Sequence, residues 1–177
     1  MLSQIIEALL FSTPFPLTLE QISRTVEVKG TKSVRQAIEE LNQFYEKTER
    51  AFRIQKVAGG YQIRTESRYK KWIRQGISHR PFRFSSSVIE TLTIVAYRQP
   101  VTRGGIESIR AVDSSYTLRT LLEKDLIKVA GREDSPGRPI LYATTKTFLE
   151  LFGLNEIKDL PTLSEFDIPL DNSMTPR

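Results

Sequence analysis

The chain has 177 residues, 27% charged and 39% apolar, with no cysteine and a formal net charge of +5. This balance fits one medium or two small globular domains and excludes wholesale disorder, a disulfide framework and a thiolate metal site. Residues 155–177 carry five acids against two bases, a net of −3, which leaves +8 on the first 154 residues; a basic body suits an acidic partner such as nucleic acid or an acidic protein, although an ordinary solvated surface explains the same count.

The N-terminus has no basic n-region and carries Glu7 inside its apolar run, so no signal peptide is expected. No run approaches the roughly 18 apolar residues of a membrane span. A cytoplasmic protein without a membrane partner is the expectation, and the absence of thiols fits a reducing compartment.

Ser3 to Phe11 is predicted helical, with Ile5, Ile6, Leu9 and Leu10 as its stripe and Ser3 as its cap. Pro14 and Pro16 end it. Thr18 and Gln21 have the spacing of a capping box for a second helix that turns Leu19, Ile22 and Val26 inward. A third helix runs from about Thr31 or Ser33 to Glu49, with Val34, Ala37, Ile38, Leu41, Phe44 and Tyr45 inside. From Phe52 to Arg64 the period changes to two around Gly59-Gly60, which predicts a β-hairpin. Ser67 to Gly76 is basic and helical in pattern.

Val88, Leu92, Val95 and Ala96 form the stripe of the next helix, capped by Ser86 or Ser87 and broken at Pro100. Thr102 caps a helix over Arg103 to Ile109, with Ile106 and Ile109 inside. Asp113 or Ser114 caps another over Ser115 to Lys124, with Leu118, Leu121 and Leu122 inside. Strands are expected at Leu126–Arg132 and Pro139–Ala143. Thr144 or Thr145 caps a last helix, Lys146 to Phe152, ended by Gly153.

The two halves repeat each other. Ile6-Glu-Ala-Leu9 parallels Ile89-Glu-Thr-Leu92, and Phe15-Pro-Leu-Thr18 parallels Gln99-Pro-Val-Thr102. Helix, helix, helix, hairpin, twice over, predicts an α+β, mainly helical protein of two tandem winged helix-turn-helix domains. The expected boundaries are 1–78, a linker at 79–87, 88–154, and a flexible acidic tail at 155–177.

Catalytic chemistry is sparsely represented. His79 is the single histidine and lies in the expected linker. It cannot build a usual zinc site without thiolate partners. No phosphate loop, dinucleotide fingerprint or nucleophile elbow occurs. Neither an enzyme nor a cofactor is expected.

A winged helix that reads DNA presents its third helix to the major groove and its wing to phosphates. In the second unit that helix shows Ser115, Tyr116, Arg119 and Glu123 outward, a single arginine beside an acid. In the first it shows Lys32, Arg35, Glu39, Glu40, Asn42 and Glu46, whose acidic centre repels phosphate. The wing tip, Gly131-Arg-Glu-Asp-Ser-Pro-Gly-Arg-Pro139, balances Arg132 and Arg138 against Glu133 and Asp134. Pro136 and Gly137 also read simply as turn chemistry, with Arg138 folded back on a carboxylate.

Several segments carry a family resemblance: Leu92-Thr-Ile-Val-Ala-Tyr-Arg-Gln-Pro-Val-Thr-Arg103, Ile106-Glu-Ser-Ile-Arg-Ala-Val-Asp-Ser-Ser115, Leu126-Ile-Lys-Val-Ala-Gly-Arg132 and Pro136-Gly-Arg-Pro-Ile-Leu-Tyr142. Together with Thr144 to Leu154 they resemble the segregation and condensation protein B (ScpB) family. The resemblance implies a non-catalytic accessory subunit of the bacterial SMC condensation complex, cytoplasmic and associated with the nucleoid. It also implies a homodimer that binds the kleisin, segregation and condensation protein A (ScpA), and through it SMC. The first unit is then expected to make the homodimer and the second to hold the kleisin. Candidate contacts are Tyr97, Arg103, Arg110, Tyr116, Arg119, Arg132 and Arg138, with Tyr97 close enough to the inner stripe to be core instead. The alternative is a tandem winged-helix DNA-binding regulator; any direct DNA contact of the condensin subunit is expected to be weak.

Overall fold

The computed structural model describes residues 1–76 and 84–162. His79 and the acidic residues beyond Thr162 lie outside the described residues. Within them, two apolar clusters organise a mixed α and β fold that is mainly helical.

The first cluster is enclosed by α1 (Leu2–Ser12), α2 (Leu19–Thr25), α3 (Lys32–Lys47) and the hairpin of β1 (Phe52–Val57) and β2 (Gly60–Thr65). Ile6, Leu10, Ile22, Val34, Ile38 and Tyr45 are its most deeply buried side chains. Fully burying one such aliphatic chain contributes about 1.5–3 kcal/mol. The predicted capping box is present: Thr18 Oγ1 accepts from Gln21 N–H at 3.2 Å, and Gln21 Oε1 accepts from Thr18 N–H at 2.8 Å. Phe44, expected inside α3, is exposed; it lies at the margin of the stripe that the hairpin covers.

The predicted hairpin forms with Val57 opposite Gly60. Ala58 and Gly59 make the turn at φ 50° and 78°, the paired positive values of a type I′ connection. Gly60 serves another purpose. A Cβ there would lie 2.9 Å from the Leu17 carbonyl carbon and oxygen, because Leu17 and Tyr61 exchange both backbone hydrogen bonds, at 3.0 and 2.7 Å.

The second cluster is built by α5 (Ser86–Arg98), α6 (Arg103–Arg110), α7 (Ser115–Glu123), β4 (Ile127–Arg132), β5 (Ile140–Thr144) and α8 (Lys146–Phe152). A short β3, Val101–Thr102, pairs antiparallel with β5, Val101 facing Tyr142. This reproduces the first half, where Leu17 faces Tyr61 across an isolated bridge. The parallel between Phe15–Thr18 and Gln99–Thr102 therefore extends to the sheet edge. The β4–β5 ladder slips one residue between Val129 and Gly131, leaving Ala130 as a bulge.

Several expectations shift. Ser3 lies inside α1, whose N-cap position is Met1 without a side-chain cap bond, and Ile5 of its expected stripe is exposed. Ser85, rather than Ser86 or Ser87, caps α5, so the helix takes the last two residues of the expected linker; any of three consecutive serines can cap. Ile109 is 54% exposed and Leu122 is also exposed, since Ile106 and Leu118 with Leu121 already fill the space beneath them. The expected flexible tail begins as folded chain. Ile157–Asp159 forms a 3₁₀ turn, Leu160 packs on the second cluster, and the Tyr97 hydroxyl donates to the Pro161 carbonyl at 2.7 Å.

The halves touch through polar groups. Arg64 Nη2 donates to the Glu150 carbonyl at 2.7 Å, and Ala58 N–H donates to the Leu154 carbonyl at 2.8 Å. Gly59 N–H reaches Asn155 Oδ1 at 3.3 Å. The turn of the first hairpin thus sits at the C-terminal end of α8, next to Gly153 in the left-handed conformation that closes that helix.

Candidate partner-binding face

The β4–β5 tip is held by its own backbone. Arg138 N–H donates to the Ser135 carbonyl at 2.9 Å, with Pro136 and Gly137 (φ 84°) at the central positions of a type II turn. Arg132 Nη1 donates to the Arg138 carbonyl at 3.0 Å. Among the described residues Arg138 has no carboxylate partner. The guanidinium of Arg138 is therefore displayed rather than folded back on an acid.

Arg132 shares a shallow groove of about 360 Å³ with Arg103, Gly104, Glu107, Ile140 and Tyr142. Arg103 opens α6 after its cap, Thr102, whose Oγ1 accepts from Gly105 N–H at 3.1 Å. From there its Nη1 reaches Ser115 Oγ at 3.0 Å and its Nε approaches Glu107 at 3.5 Å. Those contacts tie the groove to the first turn of α7. Ser114 is the N-cap of α7 and makes no side-chain cap bond; Asp113, the residue before it, accepts both the N–H and the hydroxyl of Ser115 at 3.1 and 3.0 Å. These two bonds, helped by the charge of Arg103, hold the Asp113 carboxyl below its ordinary range.

On α7, Tyr116 is 76% exposed. Arg119 is paired along the helix with Glu123 at 2.9 Å, so this face carries little free positive charge. Such i,i+4 surface pairs stabilise by only about 0.3–0.5 kcal/mol, and a partner can rearrange them.

Arg110 has a different setting. Its side chain is only 6% exposed. Its Nη groups donate to Ser114 Oγ at 3.0 Å and Ser87 Oγ at 2.7 Å, and Glu90 stands at 3.4 Å. The guanidinium clamps α5, α6 and the start of α7 inside the second unit, and its Nε is buried without a hydrogen-bond partner. Tyr97 is also apart from the Arg103–Arg132 groove. It is half-buried against the second cluster and lines a separate depression of about 690 Å³ with Gln99, Lys128, Leu149, Leu160 and Pro161. Of the seven candidates, the structure gathers Arg103 and Arg132 in one groove, while Arg138 stands in the turn at the tip of the β4–β5 hairpin. Tyr116 and Arg119 lie on the adjoining helix, and Arg110 and Tyr97 serve the fold.

Sequence reasoning overlooked an aromatic edge on the first unit. Phe11 meets Phe52 at 6.2 Å, Phe52 meets Tyr45 at 5.0 Å, and Tyr45 meets Phe44 at 6.3 Å between ring centroids. Phe11 and Phe44, at the two ends of this run, are exposed. The available signal was Phe11, which falls off the Ile6–Leu10 stripe and has no inward position to occupy.

An exposed helix, an arginine-tipped hairpin and an aromatic edge, all carried on small helix-and-hairpin units, are the surfaces this chain leaves open to a macromolecular partner. A family model, that of the segregation and condensation complex subunit ScpB, matches residues 4–163, and the chain belongs to that family. Segregation and condensation protein B of Syntrophotalea carbinolica is 44% identical over 165 residues, which covers 93% of this chain and 83% of the relative. That of Clostridium tetani is 43% identical over 162 residues, covering 91% and 85%. Among solved structures, a conserved hypothetical protein from Chlorobium tepidum is 44% identical, covering 86% of this chain and 96% of its own, with a TM-score of 0.41. A dimer of an ScpB N-terminal domain complexed with ScpA peptide is 26% identical, covering 44% of this chain and 93% of its own, at 0.40. No helix among the described residues is long and apolar enough to cross a membrane.

Proposed function

We propose that the chain is a non-catalytic accessory subunit of an SMC condensation complex that binds the kleisin and acts as a homodimer in the cytoplasm, at the nucleoid. In this reading each half is a winged helix-turn-helix domain, 1–78 and 88–154, joined through 79–87. Family membership supports the complex. The observation that carries binding of a protein rather than readout of DNA bases is the internal neutralisation of α7, where Arg119 is held by Glu123 at 2.9 Å. Base readout needs several free donors facing the groove, and a face with Tyr116 exposed beside a paired arginine suits a protein surface better.

The groove of Arg103 and Arg132 with the Arg138 tip is the proposed kleisin contact. The exposed edge of Phe11 and Phe44 is the proposed dimer contact. The test is co-purification of the full chain with a co-expressed kleisin in the presence of nuclease. Retention is expected, and Arg132→Glu with Arg138→Glu is expected to lower it at least tenfold. Sedimentation should give a dimer, and Phe11→Asp should shift it toward monomer. Loss of the complex on nuclease treatment, or tight sequence-selective duplex binding by the isolated chain, overturns the reading.

A further inference from the structure

The helix α4 (Lys70–Gly76) contributes nothing to either core. None of its seven residues is buried, and neither apolar cluster includes one of them. A helix this short is not stable in isolation, since isolated helices shorter than about 12–15 residues are marginal in water. Among the described residues its charge meets no acid either: Lys70, Lys71 and Arg74 are exposed, and none pairs with one. Arg68, in the preceding 3₁₀ turn, is shared with Glu66 at 2.6 Å and lies over the Tyr69 ring at 5.0 Å. In the sequence no acidic residue occurs between Glu66 and Glu90. Beside these cations Trp72 is 63% exposed, 6.4 Å from Tyr69.

We propose that Ser67–Gly76 is a contact element for the phosphate backbone of duplex DNA. Uncompensated cations on two adjacent turns are complementary to a polyanion and carry no base-specific information. A single exposed aromatic does not make the ladder on which successive bases of a single strand stack. The apolar face, Trp72 and Ile73, is too small for a helix that lies in a lipid surface. The contact is therefore non-specific and electrostatic. It lies on a different element from the proposed kleisin groove and does not depend on that reading.

The test uses the full chain and a fluorescein-labelled duplex of random sequence, followed by anisotropy over a series of KCl concentrations. Each phosphate neutralised on B-DNA contributes about 0.9 to the slope of log affinity against log salt. The triple variant Lys70→Ala, Lys71→Ala, Arg74→Ala is expected to lose up to about 3 units of slope and at least roughly tenfold in affinity. A charge-matched control, Arg24→Ala, Lys29→Ala, Lys47→Ala, should lose much less. Circular dichroism of both variants should match the parent, because none of the six side chains is buried. Trp72 is the only tryptophan, so its emission should change on adding duplex. Failure of the parent to bind duplex overturns the proposal, as do equal losses in the two triple variants or tighter binding of single strands. A blue shift of Trp72 emission on acidic phosphatidylglycerol vesicles, without duplex binding, assigns the element to a lipid surface and also overturns it.

Discussion

The side chain of Asn42 closes both backbone groups of Ile54. Its Nδ2 donates to the Ile54 carbonyl and its Oδ1 accepts the Ile54 N–H, each at 2.9 Å. An amide on α3 thereby stands where a neighbouring strand would pair with β1. Replacing Asn42 by alanine orphans two half-buried backbone groups, at a cost of about 1–3 kcal/mol. Asn42→Asp keeps the acceptor for the Ile54 N–H and orphans only the carbonyl, so it should cost less than alanine. Urea unfolding of the two variants checks both the size and the order.

Tyr45, also on α3, donates its hydroxyl to Glu7 on α1 at 2.8 Å. Burial first, then this hydrogen bond and the carboxylate's charge, hold the phenol protonated well above its ordinary value of 10.0. A pKa raised in the folded state stabilises the fold fully below the unfolded value, and that contribution fades as pH rises beyond it. Unfolding free energy should therefore decline above about pH 10 in the parent and decline less steeply in Tyr45→Phe. At neutral pH the same variant should lose about 1.5–3 kcal/mol for the bond to a charged acceptor.

Gly60 admits no side chain. With Leu17 backbone atoms 2.9 Å from the position of a Cβ, Gly60→Ala must push two paired segments apart, at about 1–3 kcal/mol. Gly137→Ala meets no atoms within 4 Å and pays only for its φ of 84°, so it should cost less, about 1 kcal/mol. Thermal midpoints of the two variants separate steric from conformational cost.

Arg110→Ala removes the clamp on Ser87 and Ser114 and should cost about 2–3 kcal/mol in stability. Arg119→Ala loses only an exposed pair and should cost less than about 0.5 kcal/mol. The two arginines looked equivalent in the sequence, and denaturation of the pair of variants distinguishes their roles.

That last contrast shows where the sequence is legible. Local chemistry is readable: the Thr18–Gln21 box and the Thr102 cap follow from spacing, as do most positions of the inner stripes, whereas Ile5, Phe44, Ile109 and Leu122 of those stripes are exposed and the first hairpin turns at Ala58-Gly59, one residue before Gly59-Gly60. The repeat was readable too, down to Leu17 and Val101, although the strand at Val101–Thr102 was not. Its two residues pair with Tyr142 and Leu141, roughly forty positions away, and no local period marks them. The setting of Arg110 is illegible for the same reason. Its position at the end of α6 looks exposed until Ser87 and Glu90, brought in by another helix, enclose it. Asn42 sits on the outward side of α3 by periodicity, yet the hairpin folds over it.

The hairpin turn that rests on the end of α8 bears on how the molecule comes apart. Each half is near the size at which a core alone is marginal. Polar contacts from Arg64, Ala58, Gly59 and Gln62, at about 1 kcal/mol each, are comparable with the margin that either half holds by itself. Melting of one half releases the bonds that the other relied on, so heat should produce one cooperative transition. Arg64→Ala, which removes the shortest of these contacts, should broaden that transition or divide it in two, with calorimetric and van't Hoff enthalpies no longer equal.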